Sequence, residues 1–483
     1  MRWPIVIVAA ASVAAPAAAS PGDAPWDGAV FAGPTAPHPA NVIANPMTML
    51  LMTPGVHIFV GGAGAVDQIS IDRRVVDEDG VFSDGPSVDG TTAGVGGHIG
   101  IMRAWPGGAI AFISSTPPPD ETLAGEAALA YHTRGTRTRM VDYGTLSLAY
   151  RVTSRISVGG SGTLSIRDTV MRFARDTAAE AGRDPARGTA SDCGGMACGL
   201  ENPLATEEWT VTVRSDRWNW GDKFETPALT LNDLRFAFGA LVTLPGDVRV
   251  GVTYQRPWNL GRIARAGEAV VVGAPRDGGG VYGGDATVFD KQPQIVRVGA
   301  RSRMLARWDL IGELRWRMIG RASYEDVRTY GGGLDAGDVP AIYPRPRGLR
   351  DAYALEVGME EIDDGQAVRL GARLGADTGA VRGGRLSARA PFGRQLMAGG
   401  GAQLRLGARW VVQLTYNVAF QPTQTAEPGV FDPVRLLDCV DSGYDVSVPA
   451  CATVRAGYGA PTSAGDYARF SHVGRVSLRF EVP

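Results

Sequence analysis

Residues 403–420 read QLRLGARWVVQLTYNVAF. Leu404, Leu406, Trp410, Val412, Leu414, Tyr416, Val418 and Phe420 fall on one face. Gln403, Arg405, Arg409, Gln413 and Asn417 fall on the other. This is period two, the repeat of a strand with one apolar and one polar face. The same rhythm recurs in 307–319, where Trp308, Leu310, Leu314, Trp316 and Met318 oppose Asp309, Glu313, Arg315 and Arg317. It recurs again near the end, where Val476, Leu478 and Phe480 oppose Arg475, Ser477 and Arg479.

Working outward, short turns join such strands in pairs. Thr153-Ser154, Pro245-Gly246-Asp247, Met304-Leu305-Ala306, Asp363-Asp364-Gly365 and Gly407-Ala408 divide five hairpins, and four of these sites carry turn-forming residues. Long segments rich in Gly, Pro, Asp and Arg separate the hairpins, at 168–233, 256–294, 320–351, 377–396 and 421–468; they read as irregular. Three strands precede the hairpins (56–71, 95–104 and 109 to about 132) and one follows them (469–482). The expected total is fourteen. With the N-terminus inside, every short turn falls on one side and every long loop on the other. Outer-membrane β-barrels are built with that asymmetry. A soluble β-sandwich would alternate too, but it gives no reason for Arg, Glu and Gln stacked on the second face of long strands. In lipid every backbone N–H and C=O must pair, so the sheet is expected to close.

Composition agrees. Of 483 residues, 44% are apolar and 20% charged, with 65 Gly and a net charge of −2. That excludes a disordered chain and argues against a nucleic-acid partner. Residues 1–19, MRWPIVIVAAASVAAPAAA, carry one basic residue, a short apolar core and a small-residue end. They read as a secretory signal peptide, too short to span a bilayer. Export gives the four cysteines a context. Cys193 with Cys198 and Cys439 with Cys451 read as two loop disulfides. Metal binding is the rival, but two distant pairs without nearby His make a poor zinc site.

Residues 23–54 show no strand signal, and 20–54 are expected to form a hatch inside the lumen of the barrel, which occupies 55–483. Here the sequence resembles a known family. Ala40-Asn41-Val42-Ile43-Ala44-Asn45-Pro46-Met47, leading into a Gly-rich first strand, is similar to the N-terminal hatch of the FadL-type long-chain fatty acid transporters. Residues 146–152, 156–162 and 250–257 also resemble that family. Met47 stands where the family has Ala, and the chain ends Phe480-Glu481-Val482-Pro483 rather than on an aromatic residue. The resemblance implies a fourteen-stranded antiparallel outer-membrane barrel with Asn45, Pro46 and Met47 in its hatch.

Pro117-Pro118-Pro119 falls in the third strand. Proline cannot donate to a ladder, so pairing must break there. One reading is a loop that adds a hairpin. The family resemblance implies the other, a kinked strand that opens the wall toward the membrane. Arginine recurs at lumen-facing positions, at Arg297, Arg301, Arg369, Arg373, Arg475 and Arg479 among others. Arg315, Arg317 and Arg409, also expected to face the lumen, are the candidates for binding a carboxylate, because guanidinium is permanently charged and bidentate. The rest would form an Arg–carboxylate network in a polar interior.

No GxSxG, HExxH or phosphate loop occurs, and the five His are scattered, so neither an enzyme nor a cofactor is expected. The expected function is passive uptake of hydrophobic small molecules, long-chain fatty acids first, by a monomer in the bacterial outer membrane in contact with its lipid. The alternative is a structural or surface-interaction barrel without cargo, working through its loops.

Overall fold

The structure is a computed structural model. It describes residues 29–38, 42, 45–76, 82–85, 87–118, 120–123, 133–176, 206–214, 233–275, 278–305, 307–322, 324–337, 339–362, 365–387, 390–426 and 464–482. The signal segment, the four cysteines and Pro119 lie outside the described residues.

A single sheet holds the described strands. In chain order these are β1 (Gly55–Val76), β2 (Phe82–Asp84), β3 (Val88–Trp105), β4 (Gly108–Thr116), β5 (Asp120–Leu123), β6 (Thr133–Arg151) and β7 (Ile156–Asp176). Then follow β8 (Thr206–Arg214), β9 (Leu234–Leu244), β10 (Val248–Pro257), β11 (Ile263–Val272), β12 (Val281–Asp290), β13 (Gln294–Leu305) and β14 (Trp308–Met318). The last are β15 (Tyr324–Tyr330), β16 (Ile342–Pro346), β17 (Ala352–Glu361), β18 (Val368–Asp377), β19 (Gln395–Leu406), β20 (Trp410–Ala426) and β21 (Gly465–Val482).

Fourteen of them form a closed antiparallel ring in the order β1, β3, β4, β6, β7, β9, β10, β13, β14, β17, β18, β19, β20, β21 and back to β1. The closing pair runs from Val56↔Val482 to Arg73↔Gly465. The five hairpins join the strands that the alternation paired, but Met304 and Leu305 belong to β13 and the turn after Leu406 extends to Arg409; Gly246 (φ 79°) and Asp247 (φ 59°) take the left-handed conformations that a tight strand turn needs.

The pleat sorts side chains by partner. Leu414, Tyr416, Leu355, Leu374 and Leu396 point out and are exposed, while Gln413, Thr415, Arg315, Arg317 and Glu356 point in and are buried. Trp308, Trp316, Trp410 and Tyr416 all face outward. Aromatic residues mark two levels of the outer wall. Trp410 packs on Phe480 near the short turns, and Trp316 stacks on Tyr353, centroids 6.0 Å apart, toward the far end. An apolar band between aromatic girdles is the outside of a membrane barrel. Among the described residues no helix is long and apolar enough to cross a membrane, and a barrel crosses with strands instead.

The long segments differ from the expectation of irregular chain. β8, β11, β12, β15 and β16 pair in that order as a side branch starting from the upper part of β7. The branch rolls up: Tyr343 of β16 stacks on Phe173 of β7 (5.3 Å) and on Trp209 of β8 (5.4 Å). Met171, Val211, Val213, Val271, Val288 and Val327 fill its interior. Buried Arg265 holds Asp290 at 3.0 Å beside Asp233 at 3.9 Å. Burial works against its charge, but those carboxylates outweigh it and raise its pKa above the ordinary arginine value.

The barrel lumen and the break in its wall as the candidate functional site

Residues 29–38, 42 and 45–52 pack against inward-facing side chains of the ring. Asn45 caps the short 3-10 helix Pro46–Leu51 by accepting from the Met47 N–H at 3.3 Å, and the Thr48 hydroxyl donates to the Asn45 carbonyl at 2.8 Å. Asn45 Nδ2 also donates to the Pro34 carbonyl, tying the two halves of the segment together. Wall side chains then hold its backbone. Gln413 donates to the Val30 carbonyl at 3.0 Å, Arg373 to the Ala32 carbonyl, Ser147 to the Val42 carbonyl at 3.4 Å and Arg151 to the Leu50 carbonyl at 3.3 Å.

Glycine makes room for it. A Cβ at Gly251 would lie 2.3 Å from the Pro34 oxygen, and one at Gly239 2.4 Å from Met47 Cε. At Gly371 it would meet Val30 Cγ1 at 2.4 Å. Contacts that close do not occur, so the segment seats only where β9, β10 and β18 lack side chains. Hydropathy patterns carry no sign of this, because glycine has none to give.

The two sides of the lumen differ chemically. Against β1, β3, β4 and β6 the segment is apolar: Met49, Leu50 and Met52 pack on Phe59, Met102, Ala111, Ile113 and Ala149. Against β13 to β18 it meets charge. The Phe31 N–H donates to Glu360 Oε1 at 2.7 Å, and Glu360 also takes Arg301 at 2.5 Å and Arg373 at 2.8 Å. Arg315 pairs with Glu356 at 3.1 Å, and Arg317 pairs with Asp377. Of the three arginines expected to meet a carboxylate, these two are buried in the lumen and already engaged by acids of this chain. Arg409 is not in the lumen. It sits exposed in the turn after Leu406, because Gly407 (φ 66°) ends the alternation two residues earlier.

A cavity of about 90 Å³ opens above the segment. Its lining includes Arg315, Arg373 and Arg475 with Met397, Ala419 and Val473. Arg475 donates to Asn417 Oδ1 at 2.7 Å. Pockets for drug-sized ligands run to roughly 300–1,000 Å³, so this cavity is smaller than such a pocket. Among the described residues no group of three or more His, Cys, Asp or Glu could hold a metal ion.

The wall is interrupted at the prolines. β4 pairs with β3 from Trp105↔Gly108 up to Gly97↔Thr116 and no further among the described residues. β3 continues to Val88, and among the described residues its pairing beyond Gly97 is to β1. Beyond the break the chain resumes as β5, paired to β6. The register between β4 and β6 slips at Ile113/Ser115, just before it. The break turns inward: a Cβ on inward-facing Gly96 would lie 2.4 Å from the Thr116 oxygen and 2.6 Å from the Pro118 nitrogen. Pro117 is buried and Pro118 half-buried. So among the described residues the third strand is broken and resumes on the same neighbour, β6, without an extra hairpin. The expectation that Asn45–Met47 sits beside this gap is not met. Asn45 and Met47 lie low in the barrel, against Gly159, Gly239 and Gly251, near the short turns. The apolar patch around Phe59, Met102 and Ile113 lies on the strands that flank the gap instead.

No family model matches the sequence, and no curated protein matches it. Solved structures do share the fold. The chain is similar to a Pseudomonas aeruginosa FadL homologue over 93% of its length and 95% of that chain, with a TM-score of 0.67 at 13% identity. It is similar to the CymD monoaromatic hydrocarbon channel over 92% and 93%, with a TM-score of 0.56 at 12% identity. It is also similar to the toluene transporter TbuX of Ralstonia pickettii over 92% and 94%, with a TM-score of 0.57 at 13% identity.

Proposed function

We propose that this chain is an outer-membrane channel of the FadL type for passive uptake of hydrophobic small molecules, with long-chain fatty acids as the first cargo to test. The observation that carries the reading is the apolar lane of Phe59, Met102, Ala111 and Ile113, which lies on β1, β3 and β4, beside the place where β3 loses its partner. A greasy molecule following that lane would leave sideways at Pro117–Pro118 and never cross an aqueous pore. Residues 20–54 act as the hatch. Their contacts with Gln413, Arg373 and Glu360 must loosen before cargo longer than the 90 Å³ cavity can pass. No nucleotide motif is present, so the driving force is the concentration gradient or consumption of the cargo. The neighbours in fold carry toluene and other monoaromatic compounds, which makes aromatics the second cargo class.

The test is uptake of labelled oleate, hexadecane and toluene by cells with and without the protein. Faster uptake of at least one of them supports the channel. Equal uptake of all three would favour the reading without cargo.

A further inference from the structure

Three arginines stand together at the end of the barrel away from the short turns. Arg350 precedes β17, Arg394 precedes β19, and Arg382 lies in the connection between β18 and β19. The backbone fixes them on one frame. Leu349 bridges Val381, and the Arg350 N–H donates to the Ala380 carbonyl at 2.7 Å. The Val381 N–H donates to the Phe392 carbonyl at 3.1 Å. Gln424 grips Arg394 by both backbone groups, at 2.9 and 3.1 Å. Val381, Leu386 and Ala390 anchor the frame from below, fully buried or nearly so. Arg382, Arg385 and Arg394 are exposed.

Among the described residues the cluster is cationic. Residues 378–394 hold four Arg and no Asp or Glu. Among the described residues, no carboxylate lies within ion-pair distance of Arg350, Arg382 or Arg394. Arg350 Nη2 donates only to the Thr378 carbonyl, at 2.9 Å. Burial first, and then the like charges of Arg382 and Arg394, lower the Arg350 pKa. Elsewhere on this rim charge is matched, as in Arg262 with Asp326 (2.5 Å) and Arg347 with Glu325. Like charges held rigidly together attract an anion.

Position says which anion. Asp351, next to Arg350, accepts from the indole N–H of outward-facing Trp316 at 3.2 Å, so the cluster borders the upper aromatic level. Aromatic girdles lie at headgroup height. Below the cluster the wall offers exposed Tyr353, Leu355, Leu374 and Leu396. Arginine suits phosphate because its fork donates two parallel hydrogen bonds. We propose that Arg350, Arg382 and Arg394, with Arg385 beside them, bind the phosphate groups of an outer-leaflet glycolipid whose acyl chains lie along Tyr353 and Leu396. The inference rests on the outer-membrane reading above but not on any cargo.

The test uses the full chain, purified in detergent and titrated with bisphosphorylated lipid A, with the same lipid A after phosphatase treatment, or with inorganic phosphate, and read by native mass spectrometry. Bisphosphorylated lipid A should be retained by the wild type. R350Q/R382Q/R394Q should lose roughly tenfold or more in occupancy. R155Q/R303Q/R307Q removes three charges at the short-turn end and should lose none. Dephosphorylated lipid A should bind wild type no better than the triple variant binds the intact lipid. If the triple variant assembles poorly, R382Q alone should show a smaller loss, since the Arg382 side chain makes no hydrogen bond among the described residues. Equal retention of both lipids, equal loss in the short-turn control, or displacement by inorganic phosphate alone would overturn the proposal. Fractionation of every variant with the outer membrane, and cargo uptake by the same cells, report on the transport reading separately.

Discussion

The Phe31 backbone N–H donates to Glu360 Oε1 at 2.7 Å, across 329 positions of sequence. That bond links the N-terminal segment to the charge network, because Arg301 and Arg373 hold the same carboxylate. Removing one member of a buried ion pair costs about 3–5 kcal/mol, since it strands the other charge. Glu360→Gln keeps an acceptor for Phe31 but removes the nearest carboxylate of both arginines, leaving Arg301 with Asp309 at 3.0 Å and Arg373 with Glu313 at 3.8 Å and Glu356 at 3.9 Å. It is expected to lower the denaturant midpoint of the folded barrel, followed by the heat-dependent gel shift, and to raise protease access to residues 29–38. A wild-type midpoint would show that the network carries no stability.

Gly251 faces the Pro34 carbonyl, so a side chain there competes directly with the segment. Overpacking costs about 1–3 kcal/mol where neighbours cannot yield. Gly251→Leu is expected to leave the ring closed but unseat residues 29–38, seen as faster cleavage of the N-terminal segment in assembled protein. Gly312→Ala faces open space, with nothing within 4 Å, and is expected to change neither. Identical cleavage of the two variants would count against the seat.

Leu414 is 46% exposed on the outer wall, between Trp410 and Phe420. A charge at that depth on a lipid face costs about 2–4 kcal/mol. Leu414→Arg is expected to reduce the assembled fraction in membranes. Ala419→Glu points into the cavity lined by Arg315, Arg373 and Arg475 and is expected to assemble normally. Equal defects would remove the basis for the inside–outside assignment.

The ring was legible because each of its strands is long and faces two different solvents. Leu414 beside Gln413 is enough to set the face, and one alternating stretch predicts its neighbours. The side branch was missed although β8 carries the signal: Trp209, Val211 and Val213 alternate with Thr210 and Thr212. Its strands are short and separated by Gly- and Pro-rich chain, which hides a roll closed by stacked rings. Arg409 was misplaced because parity was counted through a turn. The glycine seat, the inward bend across Gly96 and the arginine frame at the rim all depend on contacts between strands distant in sequence, which no single stretch encodes.

The central claim is that cargo leaves through the break in the third strand. Replacing Pro117-Pro118-Pro119 with Val-Thr-Val restores the N–H donors and lets β4 pair with β3 beyond Gly97↔Thr116. The direct measurement is the initial rate of labelled oleate and toluene uptake by cells carrying that variant, with its assembly verified by outer-membrane fractionation and heat-modifiable migration. Lateral exit predicts a correctly assembled barrel whose uptake falls to that of cells lacking the protein. Undiminished uptake by the assembled variant would contradict it.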